Sequence, residues 1–180
     1  MARNTRDNII ATAEMLITQA GNGGVTLNQI AAQLGMTHAA IYKHFRNKQA
    51  LWEAVAATWF KRDIIDKIQR TTAGTPAEQL HAWLWAFVTA KKGTYNTNPQ
   101  LFMLNTQYID NQPLALRAVL MDAYRVIDTI MNYHDENYAR AELILSTFAT
   151  FTLPNFKATW NAPGYQARFE RLWRLIEKGL

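Results

Sequence analysis

"TLNQIAAQLGMTHAAIYKHF", residues 26–45, is the stretch on which the reading of this chain turns. Thr26 followed three residues later by Gln29 is a capping-box pattern. It opens a helix that carries Leu27, Ile30, Ala31 and Leu34 on one face. Gly35 stops that helix and supplies a residue free to take positive φ. Met36 is apolar, Thr37 caps a second helix, and the spacing runs this helix through Phe45. Two helices joined this tightly need a small residue at their crossing, which Ala31 provides. Ile30, Leu34, Met36, Ile41 and Phe45 then bury between them. With the helix predicted over residues 4–20, these elements make a three-helix unit containing a helix-turn-helix.

On a helical wheel Ile41 and Phe45 face the core. Ala39, Tyr42 and Lys43 face away, with His38 and Ala40 on the flanks. The front of this helix is small and its back is basic and aromatic. A B-DNA major groove about 12 Å wide admits one helix, whose leading residues reach the base edges. Thr37, His38, Ala39 and Ala40 lead, and small residues let the helix axis come close. Tyr42, Lys43 and His44 follow and can hold phosphates. Thr26 and Lys48 sit where neighbouring helices begin, and backbone N–H groups there favour an anion.

Charge placement agrees with a polyanion partner. Residues 1–70 hold nine Lys and Arg against five Asp and Glu, whereas residues 71–180 hold ten against nine. No acidic residue lies between Glu14 and Glu53, while Lys43, Arg46 and Lys48 do. A solvated surface that is basic by composition alone is the other reading of that patch.

"GGVTLNQIAAQLGMTHAAIYKHFRNKQALW", residues 23–52, resembles the DNA-binding signature of the TetR family of bacterial transcriptional regulators. The shared features are a Thr opening the second helix, Ile-Ala, Gly in the turn, and an aliphatic-Tyr pair. His-Phe, then Lys and Leu at the next helix start, complete them. The resemblance covers about residues 5–55. It departs at Ala39-Ala40, where the family often has Gly-Thr or Pro-Ser, and this difference should alter base preference. The resemblance implies an all-helical homodimer whose C-terminal domain holds a ligand pocket and pairs through its last two long helices. A bound small molecule would then shift the reading heads and release a palindromic double-stranded operator. An architectural DNA-binding protein that needs no ligand is the alternative.

The rest of the chain reads as all-α, with about nine helices in total. "GNGG" (21–24) ends the first helix, and Asn47 caps a longer one through the apolar positions Leu51, Val55, Trp59, Ile64, Ile65 and Ile68. Thr75, Pro76 and Glu78 start the next. "KKGTYNTNP" (91–99) reads as a break, followed by a short apolar piece from Leu101 to Tyr108. Pro113 opens a helix to about Tyr133, and Asp135 caps another to about Trp160 that Pro154 should kink or end early. Pro163 precedes the last helix. The expected division is a DNA-binding domain at 1–46, a connecting helix at 47–70, and a ligand-binding and dimerisation domain at 71–180.

Trp83, Phe87, Tyr95, Phe102, Tyr108 and Tyr124 are candidates to line a pocket, although each taken alone is more often core. Phe169, Leu172, Trp173 and Ile176 form an apolar face on the last helix, suited to a partner chain. The absence of cysteine rules out disulfides and thiolate metal sites. Ser146 is the only serine, and His134, Asp135 and Glu136 fan around a helix end without converging. No catalytic, metal or cofactor constellation is therefore expected. "MARNTRDNII" lacks the apolar core of a signal peptide, and no apolar run reaches about 20 residues, so a cytoplasmic protein with no membrane partner is expected.

Overall fold

The computed structural model describes residues 5–20 and 24–180. Three of the four residues expected to stop the first helix, 21–23, lie outside the described residues. Every regular element among the described residues is helical, as the all-α reading expects.

The chain divides into two compact units, Met1–Lys61 with Asn98–Leu116, and Arg62–Thr97 with Arg117–Leu180. The first unit contains α1 (Thr5–Ala20), α2 (Leu27–Gln33), α3 (His38–Ile41) and α4 (Lys48–Phe60). Its core is built from Ile9, Ala13 and Ile17 of α1, Ile30 and Ala31 of α2, and Leu51, Val55, Ala56 and Trp59 of α4. After α5 (Pro76–Thr97), the chain returns to this unit as α6 (Pro99–Asn105) and a π-helical turn at Thr106–Asp110. Leu101, Phe102 and Ile109 of that return are buried, and α6 packs on both α1 and α4. The sequence pattern runs one helix onward from Asn47. The chain instead changes from α4 to a π-helical turn at Lys61–Ile65, which still buries Ile64 and Ile65.

The second unit is built from α5, most of α7 (Pro113–Met131), α8 (Ala139–Thr147), α9 (Ala149–Thr152) and α10 (Tyr165–Ile176). Its core is strongly aromatic. The Phe169 ring lies 5.0 Å from Trp85, 5.2 Å from Phe148 and 6.0 Å from Phe151. Aromatic pairs at such separations add to the burial energy of the rings themselves. Polar contacts tie α10 to α5: Tyr165 Oη donates to the Val88 carbonyl at 3.2 Å, and His81 Nε2 meets Glu170 Oε2 at 3.0 Å.

Two helix boundaries differ from the sequence reading. The expected break at 91–99 is helix through Thr97. Thr94 is buried and its hydroxyl donates to the Lys91 carbonyl at 2.8 Å, while Asn96 and Asn161 exchange side-chain bonds at 3.2 and 2.8 Å. These contacts offset the ~1 kcal/mol that Gly93 costs a helix interior. Asn98 then caps α6, accepting from the Leu101 N–H at 3.3 Å.

The other difference is the start of α8. Asp135 does accept a helix-start N–H, that of Arg140 at 2.9 Å, but the helix begins only at Ala139. Asn132, His134 and Tyr138 all take left-handed backbone, with φ of 54°, 55° and 54°. Arg140 braces this loop by donating to the Tyr133 carbonyl at 3.0 Å and to Asp135 Oδ1 at 2.9 Å. Further on, helical structure stops at Thr152, and Pro154 begins a 3-10 stretch to Thr159, the early end expected of that proline.

Candidate nucleic-acid interface

The interface begins with the capping of α2. Thr26 Oγ1 accepts from the Gln29 N–H at 3.3 Å, and Gln29 Oε1 accepts from the Thr26 N–H at 2.7 Å. The Thr26 hydroxyl itself donates to Gln29 Oε1 at 2.9 Å. Its backbone and side chain are thus fixed, and the residue remains exposed.

At the far end of α2 the Leu34 N–H bonds back to the Ile30 carbonyl at 3.2 Å, and Gly35 turns the chain with φ +62°. The Met36 N–H closes the turn on the Ala31 carbonyl at 3.0 Å. Thr37 then starts α3, accepting from the Ala40 N–H at 3.2 Å.

α3 is shorter than its sequence pattern suggests. Regular α-helix covers His38–Ile41, and residues 42–44 continue as turns. Two side chains four residues apart anchor this stretch, Ile41 at 1% and Phe45 at 3% exposure. The Phe45 N–H still reaches the Ile41 carbonyl at 3.1 Å, so the inward and outward faces of the wheel persist through the turn.

Over those two anchors the outward side chains are arranged as follows. Thr37, His38 and Ala39 are exposed and Ala40 is half-buried. Tyr42 is 44% exposed. Its ring meets that of His38 edge-on at 5.2 Å. The leading His and the following Tyr are therefore one contact unit, at an i, i+4 spacing that the sequence already contained. Lys43, His44, Arg46 and Lys48 are all exposed. Lys48 is the first residue of α4, whose start is capped by Asn47 Oδ1 accepting from the Ala50 N–H at 2.8 Å. Glu53 is the nearest carboxylate along the chain, and it is engaged by Gln49 Nε2 at 2.8 Å.

Arg6 was not among the residues singled out from sequence. Its guanidinium carbon stands 4.9 Å over the Phe45 ring, and the residue is exposed. This places a charge from α1 beside the end of the turn that follows α3. The pairing joins residues 39 positions apart, beyond the reach of any local pattern.

The remaining candidates from the sequence fall as follows. Trp83, Phe87 and Tyr124 are buried in the second unit, with Trp83 stacked on Phe87 at 5.4 Å, and Tyr95 is half-buried there. Burial pushes the Tyr124 phenol up to about 12, with the Glu142 carboxylate adding to the shift. Phe102 is buried and Tyr108 half-buried in the first unit, so the six aromatics do not belong to one unit. On α10, Phe169 is 0% and Trp173 6% exposed because the core of their own unit covers them. Leu172 and Ile176 are half-buried, and Leu175 is open to solvent. Among the described residues no cluster of three His, Cys, Asp or Glu side chains is placed to hold a metal ion. No helix among them is long and apolar enough to cross a membrane.

Residues 9–55 match the family described as bacterial regulatory proteins, tetR family. The tetracycline repressor protein class C of Escherichia coli is 39% identical over 56 residues, 31% of this chain and 26% of that protein. The nucleoid occlusion factor SlmA of Aliivibrio fischeri strain MJ11 is 34% identical over 68 residues, 37% of this chain and 34% of that protein. The chain thus aligns with about a quarter to a third of the length of these relatives. Likeness in fold extends further. BioQ, solved with its natural double-stranded DNA operator, superposes with a TM-score of 0.66 at 18% identity, covering 98% of this chain and 99% of that one. The fatty acid degradation regulator FadR of Bacillus halodurans gives 0.60 at 19% identity, covering 100% and 98%. The N-terminal helix-turn-helix segment, residues 9–55, is that of the tetR family of bacterial regulatory proteins.

Proposed function

We propose that this chain is a DNA-binding transcriptional regulator of the cytoplasm, acting as a homodimer on a palindromic operator and released from it by a small molecule. The observation that carries this reading is α3. Its exposed leading residues, Thr37, His38 and Ala39, stand over the buried anchors Ile41 and Phe45. Lys43, Arg46 and Lys48 surround them with exposed positive charge. Such a helix approaches base edges at its front while its flanks hold phosphates. BioQ, which shares the fold, is known with its DNA operator.

The homodimer is supported by Leu143 on α8 and Leu175 on α10, at 67% and 80% exposure the most open large apolar side chains of the second unit. A two-fold pair would place two copies of α3 on major grooves about 34 Å apart or a little more. Trp83, Phe87 and Tyr124 supply the apolar character a small-molecule site requires. A ligand there releases DNA only by binding the non-fitting head spacing more tightly than the fitting one. This reading assigns the chain no reaction.

Binding measured across a salt series tests it. Lys48→Ala should weaken every DNA sequence about equally and flatten the salt slope by roughly 0.9, the value of one lost phosphate contact. His38→Ala should change which base pairs matter, and because its ring meets that of Tyr42, His38→Ala and Tyr42→Ala should combine non-additively. Equal behaviour of the Lys48 and His38 variants would refute the division between gripping and reading.

A further inference from the structure

One end of the second unit gathers positive charge with no carboxylate to balance it. The last turns of α5, the 3-10 stretch Pro154–Thr159 and the start of α10 bring three cations onto aromatic rings. Lys92 Nζ lies 4.4 Å from the Tyr165 ring centre, and the Arg168 guanidinium carbon lies 5.9 Å from the same centre. Lys157 Nζ lies 5.9 Å from the centre of the Tyr95 ring. None of the three has a carboxylate at ion-pairing distance among the described residues. The sequence explains why: no Asp or Glu occurs between Glu78 and Asp110, or between Glu142 and Glu170. Glu170 itself is engaged by His81 at 3.0 Å.

Arg168 adds a second, independent observation. One terminal nitrogen, Nη2, donates to the Thr159 carbonyl at 2.7 Å, but Nε is buried and has no acceptor. A buried guanidinium N–H without an acceptor is rare and costly. The platform beneath it is fixed, since Tyr165 is buried and its hydroxyl is held by the Val88 carbonyl. A guanidinium that also lies 5.8 Å from the Phe151 ring, and an ammonium against the Tyr165 ring, supply the charge and the N–H donors that an oxyanion requires.

We infer that this end of the second unit binds a small molecule bearing an oxyanion, a carboxylate or a phosphate, held by Arg168 and Lys92 over the Tyr165 ring, with Lys157 adding charge. The inference does not rest on DNA binding, and its test involves no operator. Trp85, 5.9 Å from the Tyr165 ring, and Trp160, 5.7 Å from the Tyr95 ring, make tryptophan fluorescence the readout. The full chain is titrated with inorganic phosphate and, separately, with acetate, each at constant ionic strength set by chloride. The expected result is a saturable change with one of them, which also identifies the oxyanion. Arg168→Gln should weaken it at least tenfold, as expected for a lost charge-assisted hydrogen bond. Lys92→Gln, which leaves the packed guanidinium in place, should weaken it severalfold, so the test survives if the Arg168 variant does not fold. A response that merely follows ionic strength, or saturable binding unchanged in both variants, would overturn the inference. So would variants that lose only duplex DNA binding in a protein that answers to neither anion.

Discussion

Gly35 and Gly93 offer a controlled comparison, because the same substitution should act in opposite directions at the two sites. A Cβ added at either glycine meets no atom within 4 Å, so neither change creates a clash. Only the backbone differs. Gly35 takes φ +62°, whereas Gly93 lies inside α5. An L side chain in left-handed backbone costs about 1–2 kcal/mol. Replacing a helix-interior glycine by alanine contributes about 0.5–1 kcal/mol of stability. Gly35→Ala should therefore lower the midpoint of thermal unfolding by about 2–8 °C, and Gly93→Ala should raise it by about 1–4 °C, using the scaling for chains of this size. Differential scanning calorimetry of the full chain, alongside urea titration, measures both. Gly35→Ala should also weaken DNA binding beyond its stability cost, because the turn sets the angle at which α3 leaves α2. A Gly35→Ala protein as stable as the parent, or a destabilised Gly93→Ala protein, would refute the reasoning.

Other consequences follow from the same contacts. Thr26→Ala removes the capping box of α2 and should cost about 1 kcal/mol in urea unfolding, while Thr26→Ser should retain most of that stability. Phe169→Ala empties the aromatic core of the second unit and should cost about 3–5 kcal/mol by denaturant titration. It should do so at any protein concentration, since the ring is covered within its own chain. Burial pushes the Tyr124 and Tyr165 phenols up to about 12, and Tyr124 also feels the Glu142 carboxylate. In the unfolded chain both phenols lose their protons near 10. Their contribution to stability is therefore complete below about pH 10 and is lost as pH rises toward 12. Ultraviolet titration of the phenolate band should show these two tyrosines ionising late, together with loss of helical circular dichroism.

What could be read from sequence was what is local. The capping boxes at Thr26 and Thr75, the Gly35 turn and the Ile41–Phe45 anchor each depend on residues within a few positions of one another. All are found as hydrogen bonds or burial in the structure. The candidate interface is made almost wholly of such residues. What escaped depends on distant partners. The helix through residues 91–97 is sustained in part by Asn161, and Arg6 meets Phe45 from another helix. The pattern on α10 marked an apolar face, yet periodicity does not say what covers it. Phe169 and Trp173 turn out to be covered by their own unit, leaving Leu175 outward. Of the left-handed residues before α8, Asn132 and His134 are of types enriched in such backbone, whereas Tyr138 gives no local sign of it.

The most direct test of the account is selection of DNA fragments from the source genome by the purified full chain at one fixed, near-physiological salt concentration. The account predicts recovery of a short palindromic site whose half-sites are about one helical turn apart or a little more. Base preference within it should shift in the His38→Ala protein. Recovery of fragments with no shared motif, by a protein whose affinity falls with salt alike on every sequence, would contradict it.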